Sequence, residues 1–256
     1  MTTIKQRLAA REIVRVMFVG ILPHPKFPEI AAAVGGFHGV WIDQEHSAVP
    51  HQQLETILLA CRAAGLDAFA RVPPTDYCTI MRPMEAGASG VMVAMIRSVE
   101  QTRQVVEWAK YPPRGTRGLF AGNYEAGYGS VPAQQHVETA NRERWVCIQI
   151  ETPEALECVE QIAAVEGVDW LFVGPGDLAC TLGVPGQMLH PKCLAALERV
   201  AAACKAAGKP WGILSRSPDH AAKCRALGCQ LFSLAGDLDL VLRGFQATKT
   251  MFAELF

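Results

Sequence analysis

Polar residues of a few types stand at the ends of short apolar runs in this 256-residue chain. Trp41-Ile42-Asp43-Gln44-Glu45-His46 closes one run and Ala70-Arg71 the next; Gln149-Ile150-Glu151 and Gly174-Pro175-Gly176-Asp177 close two more. Glu151 and Asp177 offer the carboxylate oxygens that a hard divalent cation such as Mg2+ or Mn2+ prefers, with substrate and water completing its shell. Each could instead cap a helix, because a helical pattern follows it. His46 has Asp43 and Glu45 close by. A neighbouring acid fixes a histidine's tautomer and raises its basicity, which suits a general base; a solvated loop histidine is the alternative. Arg71 ends an apolar run, and a buried guanidinium needs an anion. A substrate oxyanion is the favoured partner, a carboxylate such as Glu45 the other. None of the eight lysines falls at such a position. Imine chemistry needs a desolvated lysine inside the site, so metal-assisted enolate chemistry is expected instead.

Positioning these groups requires a scaffold that gathers strand ends. Eight apolar runs of strand length recur: 14–21, 39–45, 67–72, 90–96, 146–151, 170–173, 209–214 and 230–234. Most are apolar throughout, as in strands buried on both faces of a parallel sheet. Segments of helical period lie between them, such as Leu54, Ile57, Leu58 and Cys61, or Leu194, Leu197, Val200, Ala201 and Cys204. Glycines precede several runs, as expected at helix C-termini. Eight such units in one chain of this length predict a single (β/α)8 TIM barrel over residues 1–256. A doubly wound sheet fits less well, since no GxGxxG follows the first run. Active sites of such barrels lie at the C-terminal strand ends, where the polar residues stand. Run four ends in apolar Ala94-Met95-Ile96, run seven in Ser215-Arg216 and run eight in Gly236-Asp237. The longest interruption, 111–143, is rich in Pro, Gly and Tyr and turns helical near Pro132–Arg142. A loop of that length is usually functional or interfacial.

Composition narrows the classes. Hydrophobic residues make up 50% of the chain, enough for a core, and charged residues 19%, below the ~25% typical of soluble domains. The low charge hints at surface buried between subunits. A net charge of −1 without a basic run argues against a nucleic-acid partner. Nine scattered cysteines without CxxC, and no signal-like N-terminus, point to buried thiols in a reducing cytoplasm. No apolar run approaches the ~20 residues that span a bilayer.

The runs WIDQEHSAV (41–49), YPPRGTRG (111–118), QIETPEAL (149–156) and VEGVDWLFVGPGDLACTLG (165–183) resemble the HpcH/HpaI aldolase family. The resemblance covers about residues 14–245. It implies a class II aldolase that reversibly cleaves a 4-hydroxy-2-oxo acid to pyruvate and an aldehyde through a metal-stabilised pyruvate enolate. The metal (Mg2+, Mn2+ or Co2+) would be held by Glu151 and Asp177. Gln149, Gly176 and Asp177 would contact substrate, Arg71 would stabilise the enolate, and His46 would act as base through water. Glu85 would reach the histidine of a neighbouring subunit, and Asp43 would support the His46 loop. The resemblance also implies a homohexamer, a trimer of dimers with an exchanged C-terminal helix, for which Leu238–Phe256 is suited.

Four positions depart from the family pattern: Gln44 for Gly, Glu85 for Asp, Ala94 for Pro, and the proline-rich loop Leu22–Pro28 with His24. All four are expected near the site, Gln44 as a bulkier wall beside His46. The competing readings are a metal-dependent decarboxylase or lyase of oxaloacetate-like 2-oxo acids, a lyase of CoA thioesters, disfavoured for want of a basic nucleotide surface, and a non-catalytic barrel that binds a 2-oxo acid.

Overall fold

A computed structural model describes residues 2–256. Eight parallel strands close in chain order: β1 (Val14–Val19), β2 (Gly39–Asp43), β3 (Asp67–Val72), β4 (Gly90–Val93), β5 (Trp145–Ile150), β6 (Trp170–Val173), β7 (Trp211–Leu214) and β8 (Leu231–Gly236), with β8 pairing back to β1. The helices are α1 (Ile4–Ala9), α2 (Lys26–Val34), α3 (His51–Ala63), α4 (Tyr77–Glu85), α5 (Val99–Ala109), α6 (Ala133–Glu143), α7 (Pro153–Glu157), α8 (Val159–Ala164), α9 (Pro175–Thr181), α10 (Pro191–Ala206), α11 (Pro218–Ala226) and α12 (Asp237–Met251). The expected (β/α)8 barrel is what forms.

Strand ends follow local chemistry. Pro210 has no N–H to give, and β7 starts only after it. The Asp43 side chain accepts the backbone N–H groups of Glu45 (3.0 Å) and His46 (3.4 Å), turning the chain out of β2. Asp76, Ser98, Thr152 and Ser217 cap α4, α5, α7 and α11, each accepting a backbone N–H from the first turn. Glu151 and Asp177 therefore do not cap: Thr152 does that work for α7, and Asp177 sits inside the first turn of α9 with Gly174 as its N-cap.

Two apolar layers hold the barrel. The outer one joins sheet to helices, and the stripe Leu54, Ile57, Leu58 and Cys61 of α3 is fully buried there. Each buried Leu or Ile contributes about 1.5–3 kcal/mol. The inner layer is unusually aromatic, with Trp41, Phe69, Trp145, Trp170 and Phe172 filling the barrel. The rings of Trp145 and Trp170 stand 4.2 Å apart, and a Cβ at Gly90 would overlap the Trp145 indole. At the N-terminal strand ends α1 plugs the barrel with Ile4 and Leu8, and Asp67 accepts the Ile4 N–H at 2.6 Å. Its capping box, Thr3 with Gln6, is a sequence signal that reading for strands and sites passes over.

Past α5, the connection from β4 to β5 is irregular, apart from a 3-10 turn at Gly127–Gly129, as far as α6, which begins at Ala133. Asn141 ties its two ends, accepting the Tyr111 N–H at 2.8 Å and donating to the Tyr111 carbonyl at 3.0 Å. At its centre Glu125 is buried between Arg117 and Arg144. By contrast α12 lies almost bare. Asp237 alone of its residues is buried, while Leu242, Phe245, Met251, Phe252 and Phe256 are exposed. No helix among the described residues is long and apolar enough to cross a membrane. The nine cysteines are all free.

Candidate active site

A cavity of about 470 Å3 opens at the C-terminal strand ends, lined by Asp43, His46, Arg71, Gln149, Gly176 and Asp177. These come from β2, β3, β5 and the β6–α9 turn, so the topology gathers most of the candidates. A larger cavity, about 580 Å3, lies among the N-terminal strand ends beside Lys5, Asp169 and Lys209. Two of its ammonium groups are already engaged, Lys5 with Asp169 at 2.8 Å and Lys209 with the Val165 carbonyl at 2.7 Å.

Arg71 is 8% exposed and bound at two points by Asp43, through Nε to Oδ1 (3.0 Å) and Nη2 to Oδ2 (2.7 Å). Its Nη1 stands 3.1 Å from Glu45 Oε2, an ion pair off the hydrogen-bond line, so that oxygen has no hydrogen-bond partner among the described residues. The guanidinium also lies 4.8 Å from the Trp41 ring. The carboxylate alternative raised for Arg71 is met, by Asp43 as well as by Glu45. Asp43 hydrogen-bonds two of its five N–H groups and Glu45 pairs with Nη1 by charge alone, so three N–H groups carry no hydrogen bond among the described residues. Burial raises the Glu45 carboxyl, although Arg71 pulls it down. His46 is 62% exposed at its side chain, with Nε2 3.8 Å from Glu45 Oε2. Asp43 supports its backbone, not its ring.

Glu151 sits behind the cavity wall, 1% exposed. The Met95 N–H donates to its Oε1 at 2.8 Å, and Gln149 Nε2 donates to Oε2. Met95 reaches this position through a left-handed backbone, φ 53°. A Cβ at Gly174 would overlap Glu151 Oε2, so that glycine makes room for the carboxylate. Among the described residues Gln149 Oε1 is buried without a partner, and Asp177 makes no side-chain hydrogen bond. Burial lifts Glu151 to about 7, with Glu45 and Asp177 adding repulsion. Two carboxylates with spare lone pairs and an orphaned amide oxygen are oxygen donors of the kind that fit a divalent metal ion. The residues on hand supply only part of a shell: no cluster of three or more His, Cys, Asp or Glu among the described residues could hold one alone. Substrate and water would complete it.

Some candidates lie elsewhere. Glu85, at the end of α4, is 4.0 Å from Arg117 and lines a groove with Phe120, Tyr124 and Tyr128, away from His46 of its own chain. Gln44 is not a wall beside His46. Its amide folds back onto the Val49 carbonyl at 3.0 Å and borders a separate cavity near Arg82. Ala94 is fully buried outside the site, and His24 is exposed, accepting the Lys26 N–H. Only Gly20 and Ile21, just ahead of that proline-rich loop, reach the cavity. Lys110, pushed down by burial to about 8, donates to the carbonyls of Asn141 and Arg144 far from it.

The sequence profile of the HpcH/HpaI aldolase/citrate lyase family matches residues 16–243. The chain belongs to this family. It is 36% identical over 232 residues to a pyruvate aldolase of Rhizobium etli, covering 91% of this chain and 90% of that one. It is 39% identical over 199 residues to a 4-hydroxy-2-oxovalerate aldolase of Novosphingobium aromaticivorans, covering 76% and 73%. The solved HpcH/HpaI aldolase of Desulfitobacterium hafniense superposes with a TM-score of 0.91 at 28% identity, covering 100% of this chain and 98% of that one. An HpcH/HpaI family member of this kind is an aldolase, a carbon–carbon lyase, and the family is generally dependent on divalent metal. Two features of the site carry no signal in residue type, the Met95 N–H and the empty Cβ position at Gly174, while Asp237, which ends run eight, is buried in a structural role. Asp237 accepts the N–H groups of Gly20 (2.9 Å) and Leu22 (2.6 Å) and so pins the cavity's β1 wall to α12.

Proposed function

We propose that this enzyme reversibly cleaves a 4-hydroxy-2-oxo acid into pyruvate and an aldehyde. The observation that carries the reading is a guanidinium with unbonded N–H groups, Arg71, at a cavity that Asp177 lines and Glu151 backs. Glu151 and Asp177 would hold Mg2+, Mn2+ or Co2+. When bound, the ion supplies Lewis acidity to the 2-oxo group. Gln149 and the Gly176 backbone orient the 2-oxo acid. His46 takes the C4 hydroxyl proton through a water molecule, the C3–C4 bond breaks, and the N–H groups of Arg71 that Asp43 leaves unbonded stabilise the oxygen of the departing enolate. The same enolate picks up a proton to become pyruvate.

The test needs no knowledge of the aldehyde. Purified protein with Mg2+, Mn2+ or Co2+ exchanges the methyl protons of pyruvate into D2O, and chelation stops the exchange. Protein that never exchanges them is a binding barrel, not an aldolase. The exposure of His46, held by no acid at hydrogen-bond distance, favours a second reading, decarboxylation of an oxaloacetate-like acid, which needs no hydroxyl base. His46→Ala then spares decarboxylation and abolishes aldol cleavage.

The reading extends to assembly in the cytoplasm as a homohexamer, with α12 exchanged between subunits. The bare apolar side of α12 supports this, and so does a Glu85 carboxyl facing away from its own His46. A mass of one subunit in light scattering would overturn it.

A further inference from the structure

Beyond the pyruvate end, the cavity continues toward the loop after β7 and the first turn of α12. We propose that Arg216 and Asp239 form there a subsite for a hydroxyl group on the aldehyde partner, an inference that rests on the aldolase reading above. Arg216 Nη1 meets Asp239 Oδ1 at 3.3 Å, and both residues line the 470 Å3 cavity. Around the barrel they follow Asp177 in order, since Asp177 comes after β6, Arg216 after β7 and Asp239 after β8. Asp239 Oδ2 is buried and has no hydrogen-bond partner among the described residues. Arg216 keeps N–H groups free, and with Met188 it also borders an adjoining cavity of about 320 Å3, so a longer chain has room past the pair.

The chemistry selects the ligand. An orphaned carboxylate oxygen beside a donor-rich guanidinium is matched by a group that both donates and accepts, which a hydroxyl does. An apolar aldehyde leaves Asp239 Oδ2 unpaired. A second carboxylate on the aldehyde meets Asp239 next to the guanidinium that it needs, and the mouth already holds Asp43, Glu45, Glu151 and Asp177. The acceptor class is therefore a neutral hydroxyaldehyde.

The experiment compares glyceraldehyde, propanal and succinic semialdehyde as partners for pyruvate, reading kcat/KM for each, with pyruvate proton exchange measured in parallel. The unsubstituted enzyme prefers glyceraldehyde to propanal by about tenfold or more, and succinic semialdehyde ranks last. Asp239→Ala and, separately, Arg216→Met shrink the glyceraldehyde-to-propanal ratio to within about twofold of unity, while exchange stays within about twofold. Taking the change in ratio removes the intrinsic reactivity difference between the aldehydes. A preference that survives both substitutions, or succinic semialdehyde as the best partner, overturns the subsite. Absent exchange in the unsubstituted enzyme overturns the aldolase reading instead, and the subsite with it. Should one variant fail to fold, the other variant and the wild-type ranking still decide.

Discussion

At the barrel mouth one guanidinium, Arg71, faces two carboxylates, Asp43 and Glu45. In the β4–β5 connection the roles reverse, and one carboxylate, Glu125, faces two guanidiniums, Arg117 and Arg144. Both clusters are buried, but their surroundings differ. Glu85 stands 4.0 Å from Arg117 and brings the loop cluster to two acids against two bases. Burial alone would raise Glu125, and the two arginines outweigh it, so its carboxyl sits below the usual range. Around Arg71 the mouth adds Glu151 and Asp177, four acids to one guanidinium, and the Arg216–Asp239 pair farther along adds one of each. There Glu45 and Glu151 are both raised. A balanced cluster holds a loop together. An unbalanced one keeps an appetite for a cation, and its leftover donors and lone pairs face a cavity.

Substitution separates the two. Arg71→Ala removes the proposed oxyanion donors and is expected to lower turnover 100- to 1000-fold, the loss of about 3–4 kcal/mol of transition-state stabilisation. A loss under tenfold in folded protein would leave Arg71 as a brace for Asp43 only. Glu125→Gln should do the opposite. It strands the buried guanidinium of Arg117 and the partly buried one of Arg144, costing about 3 kcal/mol of stability, or on the order of 10 °C in unfolding temperature, with turnover per folded enzyme unchanged. Calorimetry alongside kinetics reads both. If Glu125→Gln lowers turnover without lowering stability, the division between a structural and a chemical cluster is wrong.

The barrel was legible because strand burial writes itself into continuous apolar runs, and each of the eight runs holds a strand. The site was legible where residue type announces chemistry, as with Arg71, Glu151 and Asp177, which end such runs. It was illegible where the backbone does the work. Met95 looks like apolar wall, yet its N–H fixes Glu151. Gln44 looks like a bulky neighbour of His46, but a two-residue offset in a tight turn sends its amide to Val49. Glu85 illustrates a third limit. Its place in the chain is plain, but within its own chain its carboxyl stands beside Arg117 and not His46, and a contact with a second copy is part of the proposal.

The charge imbalance also predicts a pH dependence. Glu151 ionises near 7 in the fold and near the ordinary carboxyl value when unfolded. Between about 4.5 and 7 the metal-free fold holds a proton that the unfolded chain has released, so stability falls as pH rises through that window, by up to about 3 kcal/mol. A divalent cation replaces the proton and removes the slope. Unfolding temperature measured from pH 5 to 8, with EDTA and with Mn2+, should diverge as pH rises. Glu151→Gln should flatten the metal-free curve and abolish the divergence. Parallel curves for the unsubstituted protein would mean that the carboxylate pair is not the cation site.

The smallest effect tests whether Glu151 is held by backbone or by side chain. Met95 adopts φ 53°, a conformation that costs an ordinary residue about 1–2 kcal/mol and glycine almost nothing. Met95→Gly keeps the N–H, relieves that cost and gives back part of it through a more flexible unfolded chain. Stability should shift by less than about 1 kcal/mol, and pyruvate exchange should be unchanged, because the thioether side chain is half-exposed and makes no bond to the carboxylate. A tenfold drop in exchange with stability intact would show that the methionine side chain shapes the site. Nothing comparable is expected in the loop cluster, where Glu125 is held by side chains alone and no backbone substitution spares it.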